Sequence, residues 1–133
     1  MALTKDRNTP AKDGKLIVVP VAAGAKIYAG ALTVANATGY AAPGSAALNR
    51  TYLGRAEESA DNTGGADGDI TVPVRRGIAF HFKNAGADLV TQAEQGKDCY
   101  IFDDETVAKT DGTGSRSVAG KVLAVDSDGV WVL

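Results

Sequence analysis

The stretch SVAGKVLAVDSDGVWVL, Ser117–Leu133, decides the fold. Two runs rich in Val and Leu, Ser117–Val125 and Val130–Leu133, flank Asp126-Ser127-Asp128-Gly129, and Asp, Ser and Gly between such runs read as strand, acidic turn, strand. In the final run side chains alternate between faces, so Trp131 and Leu133 share one and Val130 and Val132 the other. Both faces are apolar, so this terminal strand is either fully buried or lies at a subunit contact.

The same punctuation extends back through the chain. Short runs at Leu16–Val21, Lys26–Tyr28, Leu32–Val34, Thr51–Glu57, Ile70–Arg75, Ile78–Phe82, Cys99–Phe102 and Thr106–Ala108 are separated by Gly, Asn, Asp and Ser. Strands at this spacing predict an all-β fold, a small β-barrel or β-sandwich. At most one short helix is expected, with Asp88 capping a turn through Leu89, Val90 and Ala93 that ends at Gly96. Residues 1–15, MALTKDRNTPAKDGK, are polar and aperiodic and form an extended or flexible arm, leaving 16–133 as a single β domain.

Internal similarities suggest two tandem β units, 17–69 and 70–133. IVVPVAAG (Ile17–Gly24) resembles ITVPVRRG (Ile70–Gly77), GAKIYAGALTVANATG (Gly24–Gly39) resembles GKDCYIFDDETVAKTDG (Gly96–Gly112), YLGRA (Tyr52–Ala56) resembles VAGKVLAV (Val118–Val125), and GDITVPV (Gly68–Val74) resembles DGVWVL (Asp128–Leu133). On this reading the second unit carries an insertion near His81–Gln95. Pro20 and Pro73 interrupt apolar strands, and because proline cannot donate to a ladder, those strands should be edges or carry bulges.

Ala and Gly fill 39 of 133 positions and aromatics only 6 %, so the core must be lean and gains from neighbours. The net charge of −2 provides no basic stripe for nucleic acid. Its distribution is uneven: Lys5, Arg7, Lys12 and Lys15 outnumber Asp6 and Asp13 in the arm, while the remainder carries four excess negative charges. No apolar run approaches the ~18 residues of a membrane span. The single cysteine gives no intrachain disulfide and no argument for an oxidising compartment.

Few residues offer chemistry. His81, the only histidine, alternates onto the face opposite Ile78, Phe80 and Phe82, and no nucleophile accompanies it. Cys99 reads as a small buried hydrophobe. The acidic loops Asp61–Asp69 and Asp103-Asp104-Glu105 have the composition of solvated turns, and the first fails the spacing of an EF-hand. Arg75-Arg76 has the planar donors of an anion clamp, or is a solvated strand end. No enzyme and no cofactor are therefore expected.

The segments GKDCYIFDDETVAKTDG, VAGKVLAVDSDGVWVL and YLGRAEESADNTGGADGDITVPVRRGIAFHFKN (Tyr52–Asn84) resemble the small decoration, or cement, proteins of tailed-bacteriophage capsids. The resemblance implies a structural protein made in the host cytoplasm that binds the outer surface of the virion and bridges neighbouring major capsid proteins. It implies self-association as well, a trimer over threefold positions before a dimer over twofolds. Lys5, Arg7, Lys12 and Lys15 would then face an acidic shell, and Pro20, Pro73, Arg75, Arg76, Trp131 and Leu133 would lie at oligomer or shell contacts. The alternative is a surface module of a virion that recognises a host glycan or receptor.

Overall fold

The computed structural model describes residues 1–133. Alternating apolar residues between glycine and aspartate turns give β1 (Leu16–Pro20), β2 (Lys26–Ile27), β3 (Leu32–Ala35), β4 (Ala41–Pro43), β5 (Thr51–Ala56), β6 (Ala60–Asp61), β7 (Thr71–Arg75), β8 (Phe80–Asn84), β9 (Asp98–Ile101), β10 (Thr106–Ala108), β11 (Val118–Val125) and β12 (Val130–Val132). The fold is all-β. Its one helical element is a 3-10 turn at Gln92–Glu94, entered at Thr91, whose N–H and hydroxyl both donate to the Glu94 carboxylate. Asp88 is not its cap, because that carboxylate accepts instead from Thr110 and Arg116 across the chain.

Five strands form an open sheet in the order β1-β7-β5-β3-β4, five close into a barrel in the order β10-β8-β12-β11-β9, and β2 pairs with β6. With β2 and β6 set aside, the two groups share one connectivity. In each, the first strand pairs with the last, the last with the fourth, the fourth with the second and the second with the third, all antiparallel. The ladders agree residue by residue. Thr33↔Gly54, Val34↔Tyr52 and Ala35↔Ala41 answer Cys99↔Gly120, Tyr100↔Val118 and Ile101↔Val107, each position lying 66 further along (33 to 99, 54 to 120, 41 to 107). Both fourth strands bulge at the same place, Leu53 or Ala119, one residue before a glycine.

These pairings place the halves at 16–75 and 80–132, not at 17–69 and 70–133. The similar segments at Ile17 and Ile70 are partners rather than counterparts: β1 and β7 lie side by side with Ile17↔Val74 and Val19↔Val72. Neighbouring strands that share one core and one solvent face acquire the same pattern, which is why they look alike. Likewise β3 corresponds to β9, and Thr106-Val107-Ala108 to β4. No insertion is needed near His81–Gln95, since 85–97 joins first to second strand as 21–31 does in the other half.

Two apolar clusters fill the molecule. One holds Val19, Val21, Ile27, Val72 and Val74 inside the first half; the other fills the barrel with Phe80, Phe82, Val90, Cys99, Ile101 and Val132. Leu32 and Val34 of β3 belong to the barrel cluster, so the halves are joined through a shared core. The equivalent strands β5 and β11 also pack together, with Arg50 N–H donating to Ser117 Oγ at 3.1 Å where they begin.

Pro20 lies on an edge strand, as a proline in a sheet should. Pro73 does not: β7 runs between β1 and β5. It is tolerated because β5 ends at Ala56, so the only demand there is on the Pro73 carbonyl, which accepts from Glu57 N–H at 2.9 Å. Ile78 precedes β8 and is exposed, apart from the buried Phe80 and Phe82 it was expected to join.

Candidate contact surfaces

The arm is exposed from Met1 onward, and residues 1–13 contain no regular structure. Arg7 donates to Thr9 Oγ1 at 2.8 Å and Asp13 accepts from Lys15 N–H at 3.0 Å, both local contacts. The attachment to the body is Arg76 N–H donating to the Lys15 carbonyl at 2.8 Å. Lys5, Arg7, Lys12 and Lys15 are exposed and form no ion pair with the β domain.

On the outer face of the first half, Leu16, Val18 and Pro20 of β1 stand beside Arg75, Pro73 and Thr71 of β7. Leu16 is 46 % exposed and Val18 66 %. Arg75 is not a free anion clamp. Its Nε is hydrogen-bonded to Glu57 Oε1, while Arg55 holds Oε2 at 2.9 Å, so the clamped anion is a carboxylate of the same chain. The Arg75 hydrogen bond, with Arg55, holds the Glu57 carboxyl below the ordinary carboxylate range. Arg76 is exposed, and only its backbone N–H is engaged.

The outer face of the barrel carries a matching pair. His81 and Trp131 are cross-strand partners on β8 and β12, with ring centroids 5.0 Å apart. They occupy the ladder position that Val18 and Pro73 hold in the first half. Asp126 organises them: its carboxylate contacts His81 Nε2 at 3.1 Å and accepts from Trp131 Nε1 at 3.2 Å and from the N–H groups of Asp128 and Gly129. The His81 contact, followed by these donors, lowers the Asp126 pKa to about 2. Trp131 is 39 % exposed and Leu133 53 %, while Val130 and Val132 are fully buried, so β12 is apolar on both faces with one facing out. The sequence shows Asp126 as a turn residue, but nothing in it shows that the turn reaches His81, 45 positions away.

The side chains of the acidic loops are engaged within the chain, partly by their own turns and partly by neighbouring segments. Asp61 accepts from Thr63, Asp67 from Ala23 N–H and Asp69 from Ala66 N–H, while buried Asn62 donates to the carbonyls of Val21, Ala22 and Ala66. Asp103 accepts from Glu105 N–H, and Glu105 pairs with Lys83 at 2.8 Å. Asp104 lines a groove with Tyr28, Gly30 and Ala31, and burial with its acidic neighbours raises its pKa. Cys99 is fully buried, and desolvation pushes its thiol up to about 11. What these surfaces offer is contact area: an exposed basic arm, an exposed apolar strand face and an aromatic patch. Comparison with family models, curated proteins and solved structures finds no match to this chain.

Proposed function

We propose that this protein is a structural component of a phage virion that binds the outer capsid surface and bridges neighbouring major capsid proteins. The observation that carries the reading is the basic arm, exposed along its length and tied to the domain only at Lys15. An arm of this kind orders on a surface of opposite charge and can add to an exposed sheet edge. The apolar patches around Val18–Pro73 and Trp131–Leu133 supply further contact area. Weak contacts repeated over a symmetric shell sum to high avidity without a tight single site.

Mixing the purified protein with mature, undecorated shells tests this directly: it should co-sediment at a stoichiometry set by shell symmetry. Deleting residues 1–13 should leave the β-sheet circular dichroism intact and weaken that binding. No co-sedimentation would overturn the proposal, and unchanged binding after deletion would remove the arm from it.

Recognition of a host glycan or receptor is the second reading, favoured by the half-exposed Trp131 ring beside His81, since an aromatic face of this kind stacks on sugars. Binding on a glycan array that is lost in Trp131→Ala would support it over the first.

A further inference from the structure

The barrel ladder is incomplete on one side of β8. Lys83 N–H donates to the Glu105 carbonyl and Ala85 N–H to the Val107 carbonyl, so the odd-numbered residues turn their backbone groups towards β10 and the even-numbered ones towards β12. β10 begins only at Thr106, opposite Lys83, and the chain before it curls away in the turn from β9, with Phe102 and Asp103 N–H both on the Thr106 carbonyl. His81, and Ala79 just before the strand, therefore direct an N–H and a C=O each to a side where no strand of this chain lies, and neither residue has a backbone partner there.

That side is a groove of about 330 Å³. Ala79, Phe80, His81 and Trp131 line it from the barrel, and Gly30 and Arg55 from the first half. The far wall is held in place: Gly30 N–H donates to the Ala56 carbonyl at 2.8 Å, and the Arg55 guanidinium lies 4.6 Å from the centre of the Phe80 ring. Nothing stands within 4 Å of where a Gly30 Cβ would be, so the wall is open at that point. Past Gly30 the surface continues into a second groove, of about 390 Å³, bordered by Tyr28, Asp104 and Glu105.

We propose that this groove takes an extended segment of another protein, added to β8 as an antiparallel strand, with a cationic residue at its N-terminal end beside Asp104 and Glu105. Free N–H and C=O groups along a strand are what such a segment pairs with. In the antiparallel sense one residue of the segment exchanges both bonds with His81, and the residue two further on does the same with Ala79. A parallel segment would leave one of these four groups unused. The residue opposite His81 shares the outer face with His81 and Trp131, and its neighbours in the segment share the inner face with Phe80 and Phe82, so both faces favour apolar side chains.

Because β10 takes up the ladder at Lys83, the segment cannot run further in that direction, and its N-terminal end meets the Asp104–Glu105 turn. The Asp104 side chain forms no ion pair within the chain, and Glu105 pairs only with Lys83, so a positive charge is the complement of this end. The β8 edge of a second copy is a poorer occupant, since the edge lies between walls. So is the chain's own arm, whose only large apolar residues are Met1 and Leu3 and which contains Pro10. The inference concerns a different surface from the arm and does not rest on the shell reading.

Hydrogen exchange and a synthetic strand test it on the full chain. In the free protein the amides of Ala79 and His81 should exchange near the free-chain rate while those of Phe82 and Lys83 are protected. The capped peptide acetyl-Lys-Lys-Val-Thr-Val-Thr-Val-amide should bind saturably below about 1 mM, followed by Trp131 fluorescence, and slow both open amides at least about tenfold. Replacing its two lysines by glutamates should weaken binding about tenfold, and Asp104→Asn should weaken the lysine peptide about threefold with far-UV circular dichroism unchanged. N-methylation of one alternate set of peptide amides should abolish binding and of the other set should not, because only one edge of the segment faces β8. Protected amides at Ala79 and His81 in the free chain, no saturable binding, equal binding of the two peptides, or equal effects of the two methylation patterns would each overturn the inference. Binding that emerges only once residues 1–13 are deleted would assign the groove to the arm and overturn it as well.

Discussion

Single residues carry much of the specification in a chain with so small a core. Gly54 is one: its φ is +143°, and a Cβ there would overlap the Arg75 carbonyl oxygen on β7. Gly54→Ala should therefore cost about 2–4 kcal/mol, as forced strain at a bulge does, whereas Gly86→Ala, with open space around it, should be nearly neutral. Urea unfolding of the two variants checks this, and a near-neutral Gly54→Ala would mean that β5 and β7 can separate freely. Asp126 is another. Its folded pKa of about 2 lies below the ordinary carboxylate value of about 4, so its stabilising contribution is present above pH 4 and is lost as pH falls through 2. The difference in Tm between the native chain and Asp126→Asn should accordingly shrink as pH falls from about 4 towards 2. A difference that does not change with pH would show that the carboxylate charge is not what holds His81 and Trp131.

At the scale of elements, β1 meets β4 through the Val21–Ala41 bridge but Pro20 lacks the N–H that Lys83, at the equivalent place on β8, donates to the Glu105 carbonyl, and that gap can be tested at Pro20. Pro20→Ala supplies an N–H at the position where Lys83 closes the barrel. The added hydrogen bond is worth about 0.5–1.5 kcal/mol, but losing proline's restriction of the unfolded chain offsets it by about 0.4–1 kcal/mol. Stability should thus move little, and the decisive reading is hydrogen exchange: the amide at residue 20 should become protected along with that of Ala22. Exchange at the free-chain rate would assign the gap to another cause. The same comparison explains what the sequence disclosed. Period-two runs between Gly and Asp turns were enough to find ten strands, because burial of one face imposes that pattern locally. Ala41-Ala42-Pro43 and Ala60-Asp61 gave no sign, since short strands made of small residues are held by their neighbours rather than by propensity. Pairing was harder to read. Over positions 32–56 and 98–122 the halves share one ladder but few identities, among them Ala42 with Ala108, Arg50 with Arg116 and Gly54 with Gly120. The clearest sequence match, Ile17 with Ile70, marks strands in contact. Of the contact surfaces, alternation grouped Trp131 with Leu133 on one face without showing that this face is the outward one, and the partners of Arg75 and His81 depend on long-range folding.

For the whole molecule, the question is whether two halves of one connectivity unfold as one or two units. A duplicated domain with separate cores would come apart in two steps. Here Leu32 and Val34 leave the first half to complete the barrel core, and Leu32 N–H donates to the Asp104 carbonyl at 2.7 Å, so the barrel lacks part of its interior without β3. A single cooperative transition is the physical consequence. Trp131 is the only tryptophan and sits on β12, so its fluorescence follows the barrel, while far-UV circular dichroism follows both halves. The two urea curves should coincide. Leu32→Ala, which by chain position belongs to the first half, should shift both together by about 2–5 kcal/mol, the usual cost of emptying a fully buried leucine site. If the fluorescence curve stayed in place while circular dichroism moved, the shared core would not couple the halves, and the barrel would be an independent domain with the open sheet attached to it.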